Sequence, residues 1–106
     1  MTLEDYIENV GDRLKESFYL IKVFSVIADF DGIHKSKIAE MLSLPRKEVH
    51  ISVDALFTFG VVQFEEVGRM KFYRLTDIGA EIASRLTETL HNEQTLHKEE
   101  NLEEVK

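Results

Sequence analysis

The chain has 106 residues, 43% hydrophobic and 31% charged, a balance that suits one globular domain with a single modest core. The absence of cysteine excludes a disulfide framework, a thiolate metal site and a cysteine nucleophile. Charges recur every few residues through MTLEDYIENVGDRLKE, unlike a signal peptide, and no run approaches the ~18 apolar residues of a membrane span, so a cytoplasmic protein with no membrane partner is expected.

Twenty acidic residues against 13 basic give a net charge of −7, an unusual total for a protein that must approach phosphates. The charge is segregated, however. Residues 1–16 hold five acids and two bases, and so do residues 91–106. Between Gly32 and Thr76 the sign reverses, with seven bases (Lys35, Lys37, Arg46, Lys47, Arg69, Lys71, Arg74) against five acids (Glu40, Glu48, Asp54, Glu65, Glu66).

Leu3, Ile7, Val10 and Leu14 recur at spacings of four, three and four, which predicts a first helix capped by Thr2 with one apolar stripe. A helix this short needs something to lie against, and a second subunit is the expected partner, making residues 1–16 a dimerisation helix. Phe18 to Phe30 is apolar on nearly every side, as in a central helix covered by neighbours, and Asp31-Gly32 ends it. Ser17 reads as a break before it, with one continuous helix through Lys15 and Glu16 as the other reading. Tyr6 and Tyr19 read as packing aromatics.

Lys35 to Leu42 predicts a short helix with Ile38, Ala39 and Leu42 inward, and Ser43-Leu44 makes a turn. Pro45, the one proline, fits the first turn of the next helix, where its missing N–H costs nothing. That helix, 45–59 at its widest, buries Val49, Val53 and Leu56 and stops before Gly60. Its exposed side presents Lys47, Ile51, Asp54 and Thr58, with Arg46, His50 and Phe57 toward one flank. Phe59 is expected in the core and Phe57 at a boundary.

VVQFEEVGRMKFYRL, residues 61–75, then predicts a hairpin. With Gly68-Arg69 as a two-residue turn, Val67 faces Met70, Glu66 faces Lys71, Phe64 faces Tyr73 and Val62 faces Leu75. Every pair is chemically sensible, and one face is apolar at its base and charged near its tip. A last helix starts at Thr76 or Asp77, and Ile78, Ile82, Leu86 and Leu90 form an i, i+4 ridge along it, a second candidate dimer surface. Residues 1–90 thus form one domain, with 76–90 opening the C-terminal helix. Residues 91–106 form an acidic tail that either extends a thin coiled coil or frays.

The expected fold is mainly α with a small β-hairpin, the order of elements of a winged helix-turn-helix with additional N- and C-terminal helices. Ile33, Ile38-Ala39, Leu42, Ser43-Leu44, Val49, Val53, Leu56, Gly60-Val61-Val62, Gly68-Arg69 and the string Tyr73-Arg74-Leu75-Thr76-Asp77-Ile78-Gly79 resemble the winged helix-turn-helix transcriptional regulators of the MarR, ArsR and PadR group, in particular the small archaeal and viral ones. The resemblance covers about residues 18 to 90. It implies a homodimeric regulator that binds double-stranded DNA, with Arg46 to Thr58 as recognition helix in the major groove and Val67 to Met70 as the wing tip.

On that resemblance the DNA-binding candidates are Lys35, Arg46, Lys47, His50, Ile51, Asp54, Arg69 and Lys71. Ile51 suits a thymine methyl and Asp54 a cytosine amine, although an acid near phosphates costs affinity. Leu3, Ile7, Val10, Leu14, Ile82, Leu86 and Leu90 are the dimer candidates. The alternative is a winged helix turned protein-interaction module, with acidic arms against a basic partner; charge segregation favours DNA, while Ile51, Asp54 and the total charge favour a protein partner.

No metal or other cofactor is expected. His91, Glu93, His97 and Glu100 invite comparison with metal sensors, but the set falls short of three or four good ligands. Catalysis has no foothold either, since the chain carries no P-loop, G-x-G-x-x-G, H-E-x-x-H or G-x-S-x-G, and an enzyme is not expected.

Overall fold

The fold is taken from a computed structural model, which describes residues 2–86. Helix α1 spans Leu3–Glu16 and opens on a reciprocal capping box, in which Thr2 accepts from the Asp5 N–H at 3.1 Å and Asp5 accepts from the Thr2 N–H at 3.3 Å. Its charges follow the helix dipole, with Glu4 and Asp5 in the first turn and Arg13 and Lys15 in the last. Ser17 is the break that the sequence suggested: it closes α1 and caps α2 (Phe18–Ala28), accepting from the Leu20 N–H at 3.3 Å.

Two expectations for α2 are corrected. It ends at Ala28, short of Phe30, because the Asp29 N–H tightens onto the Val26 carbonyl at 3.1 Å and the chain turns away. Nor is it covered all round, since its first turn leaves Phe18 and Tyr19 exposed while Val23, Phe24, Val26 and Ile27 fill the core.

Helices α3 (Lys35–Leu42) and α4 (Arg46–Thr58) have the expected bounds. Between them Ser43 takes a left-handed conformation, φ 54°, and the Leu44 N–H reaches back to the Ala39 carbonyl at 3.1 Å, closing α3 in the space of one residue. Pro45 stands one position earlier than expected, as the N-cap of α4 with no side-chain capping bond.

The hairpin joins β1 (Val62–Val67) to β2 (Met70–Leu75), and all four expected pairs are present. Gly68 at φ 65° makes the turn, a conformation that costs glycine nothing. A contact that the sequence reading missed anchors the hairpin: Ile33, between α2 and α3, exchanges two backbone bonds with Tyr73, at 3.0 and 2.8 Å. The base of the wing is thereby fixed to the start of α3.

Residues 77–86 are helical to the end of the described region. Thr76 caps this helix, accepting from the Gly79 N–H at 3.1 Å, and its hydroxyl donates to the Gly60 carbonyl at 2.6 Å while its N–H donates to the Val61 carbonyl at 3.0 Å. One residue therefore latches the C-terminal helix to the turn that follows α4. Replacing Thr76 with Val removes both hydroxyl bonds and should destabilise the fold by about 1–3 kcal/mol, measurable by urea denaturation.

The dimer surface read from the sequence is overturned for most of its residues. Ile7, Val10 and Leu14 of α1 and Ile82 and Leu86 of the last helix are all buried within the single chain. The two stripes meet each other: an added side chain at Gly11 of α1 would reach Ile82 at 4.0 Å, and Arg85 holds Glu4 with two bonds, at 2.6 and 3.0 Å. The stripe of α1 is thus covered inside its own chain, by α2 and the C-terminal helix. Leu3 is 63% exposed, Leu90 lies outside the described residues, and so do the tail from 91 to 106 and its His and Glu group.

The Glu4–Arg85 pair also sets a pH test. The Arg85 hydrogen bond holds the Glu4 carboxyl below its ordinary value of 4.5. A depressed carboxylate pKa stabilises the fold above that ordinary value, and the contribution disappears as pH falls through the folded-state pKa. Glu4→Gln should therefore melt slightly below the parent at neutral pH, and the gap should close on acidification; a gap that persists in acid would refute the linkage. Both side chains are exposed, so the effect is small.

Candidate nucleic-acid interface

Three elements converge on one side of the molecule. α4 leaves Lys47, Ile51, Asp54 and Thr58 exposed while Val49, Ser52, Val53 and Leu56 face the core, as the helical spacing predicts. The first turn of α3 and the wing enclose a cleft of about 260 Å³ lined by His34, Lys35, Ser36, Arg69, Met70, Lys71 and Tyr73. Lys35, Arg69 and Lys71, chosen from distant parts of the sequence, thus share one opening.

The placement of cations departs from what helix stability favours. A helix N-terminus carries partial positive charge and prefers acids, as α1 shows. α3 instead opens with Lys35 and Lys37 and has no acid in its first turn, and α4 opens with Arg46 and Lys47 beside one acid, Glu48. Four cations thus stand where the dipoles disfavour them, a cost that Lys35 and Lys37 partly offset by pairing with Asp54 at 3.7 Å and Glu40 at 3.6 Å, and each helix start suits an anion. His34 caps α3 through Nδ1, which accepts from the Lys37 N–H at 3.2 Å.

Asp54, the acid that seemed out of place, is not bare. Lys35 Nζ lies 2.7 Å from His50 Nδ1 and 3.7 Å from Asp54 Oδ1, and His50 Nε2 lies 3.2 Å from Asp54 Oδ2. A lysine can only donate, so Nδ1 accepts and the ring proton sits on Nε2, aimed at Asp54. The network is exposed, and each such pair is worth roughly 0–1 kcal/mol, weak enough for a phosphate to replace it. Lys35 Nζ also stands 5.6 Å from the centre of the Tyr73 ring, whose phenol pKa is raised by burial and secondarily by Asp54, so the ring stays neutral.

Lys71 is partly committed elsewhere, lying 4.6 Å over the Phe64 ring in a row that runs from Phe57 through Phe64 to Tyr73 with successive ring centres 5.6 Å apart. Phe57 is half exposed at the end of that row, and Phe59 packs against the core, both as expected. Tyr6 assists by donating to the Phe59 carbonyl. Arg46, Lys47 and Arg69 take no ion pair or ring contact among the described residues. Of the DNA-binding candidates, they are the cations with most to offer a ligand.

The sequence carries no sign that Lys35, His50 and Asp54 form one network. A fifteen-residue separation between Lys35 and His50 leaves no local trace, although the i, i+4 spacing of His50 and Asp54 was visible. No helix among the described residues is long and apolar enough to cross a membrane.

A helix-turn-helix followed by a hairpin whose base bridges back to the start of α3 defines a winged helix. The comparisons agree. The chain is 36% identical over 80 residues to the DNA-binding transcriptional repressor TubR of Bacillus thuringiensis subsp. israelensis, a match that spans 72% of this chain and 77% of that protein. Among solved structures, TubR bound to 24 bp of tubC from Bacillus thuringiensis serovar israelensis pBtoxis superposes with a TM-score of 0.72 at 24% identity, covering 78% of this chain and 94% of that one. A MarR family regulator from Neisseria meningitidis superposes with a TM-score of 0.65 at 25% identity, covering 83% and 67%. No protein-family model matches the sequence. The chain belongs to the TubR family of winged-helix transcriptional regulators.

Proposed function

We propose that this protein is a cytoplasmic, homodimeric transcriptional regulator that binds double-stranded DNA, with α4 in the major groove and the wing on the backbone or in the minor groove. The observation that carries this reading is the reversed charge at the starts of α3 and α4, together with a wing that adds Arg69 and Lys71 to the cleft at the start of α3. The helix dipoles disfavour cations at those positions, although Asp54 and Glu40 pair with Lys35 and Lys37, whereas a phosphate suits both the dipoles and the cations. The relative's name as a DNA-binding repressor and the neighbour's complex with DNA support it.

In this reading Arg46 and Arg69 contact phosphates, Lys47, His50, Ile51 and Asp54 face base edges, and Lys35 and Lys71 contribute from the cleft. The dimer contact does not use the buried stripe of α1. Sedimentation at tens of micromolar, on the order of common dimer dissociation constants, should show a dimer. Fluorescence anisotropy against random-sequence duplexes at low salt tests binding. A dimer neutralising about six to ten phosphates should lose roughly three to five orders of magnitude in affinity between 50 and 200 mM salt, with the acidic ends of the chain making that an upper bound. No binding at low salt would favour a protein-interaction module instead.

A further inference from the structure

The Lys35–His50–Asp54 network is not needed to hold the helix-turn-helix together. α3 and α4 are already joined through Ile38, Ala39, Val49 and Val53, all buried, whereas the Asp54 and His50 side chains are mostly exposed. What the network does is spend two of the groups that face the ligand side on one carboxylate. Lys35 stands at the first position of α3, where the dipole would otherwise present it to a phosphate, yet its ammonium group is turned across to α4.

We propose that Asp54 is a positioning residue that sets the specificity of DNA binding by withholding Lys35 and His50 from non-specific phosphate. This inference rests on the nucleic-acid reading and assigns a regulation to that same surface. A phosphate can take Lys35 only by displacing the Asp54 carboxylate. On an arbitrary sequence the exchange trades one anionic partner of Lys35 for another and leaves the Asp54 carboxylate bare beside phosphates, so its net return is small. On a matched sequence the released carboxylate accepts from a base amine in the major groove. The donors there are the cytosine N4 and adenine N6 amines, of which cytosine offers no competing acceptor beside it. Lys35 is thereby delivered to the backbone only where Asp54 finds a base.

The test is a double-mutant cycle read by anisotropy at several salt concentrations, on random-sequence duplex and on the best sequence that the parent protein selects from a random library. Asp54→Asn keeps the shape and removes the charge. It should tighten binding to random duplex, steepen the salt slope by about 0.9 for each lysine released, and reduce the preference for the selected sequence. In a Lys35→Met background the same replacement should change random-duplex affinity and slope by little, since the residue through which Asp54 acts is gone. If the gain persists undiminished in that background, Asp54 acts by its charge alone and the proposal is overturned. It is overturned equally if Asp54→Asn leaves the preference for the selected sequence intact. Failure of the parent and every variant to bind any duplex at low salt would instead remove the nucleic-acid reading, and this one with it.

Discussion

Replacing Gly79 with alanine should lower the melting temperature by on the order of 15 °C or more. A Cβ at this position would stand 2.0 Å from the Val61 carbonyl oxygen and 3.0 Å from its carbonyl carbon. The obstacle is backbone on both sides, so no flexible side chain can yield. Moving Val61 would break the bond from its own N–H to the Leu56 carbonyl, 3.2 Å, and the bond it accepts from the Thr76 N–H, 3.0 Å. Overpacking costs about 1–3 kcal/mol when side chains can adjust, and more is expected here. For a domain of this size each kcal/mol shifts the melting point by about 4–8 °C. A variant that melts within a few degrees of the parent would show that the C-terminal helix does not sit this close to the turn after α4.

Removing both Lys47 and Arg69 should have the largest effect on DNA binding. Both are exposed, neither takes an ion pair among the described residues, and they lie on two different elements of the interface, α4 and the tip of the wing. Each Arg69 phosphate contact contributes about 0.9 to the logarithmic salt slope and each Lys47 base contact about 1–3 kcal/mol, so a dimer losing two of each should bind about three or more orders of magnitude more weakly near 0.1 M salt. The single variants should differ in kind. Arg69→Ala should weaken all sequences alike and flatten the slope, whereas Lys47→Ala should also change which sequence is preferred. Unchanged affinity in the double variant would count against the interface.

Much of this geometry was legible in the sequence because it is local. Helical spacing gave the bounds of α3 and α4 and the exposed face of Lys47, Ile51 and Asp54, and cross-strand chemistry gave the hairpin register from Val62 to Leu75. What was not legible depends on which parts meet. The stripe of Leu3, Ile7, Val10 and Leu14 announces that α1 must be covered, but not by what. Other helices of the same chain cover Ile7, Val10 and Leu14, so this stripe is not the face that a second subunit meets. Gly79 lies within a helix, where its small size admits the Val61 carbonyl, an approach from a distant turn that leaves no local trace. Asp54 looked like a defect in a DNA-binding surface because its partner Lys35 lies on another helix.

Recognition of DNA through α4 and the wing is tested most directly by titrating isotope-labelled protein with a duplex of about two helical turns at low salt and following backbone amide shifts. The largest changes are expected at Lys35 to Lys37, at the exposed positions of α4 from Arg46 through Asp54, and at Val67 to Lys71, with α1 little affected. Changes concentrated on α1 and residues 77–86, or none at a duplex excess, would contradict it.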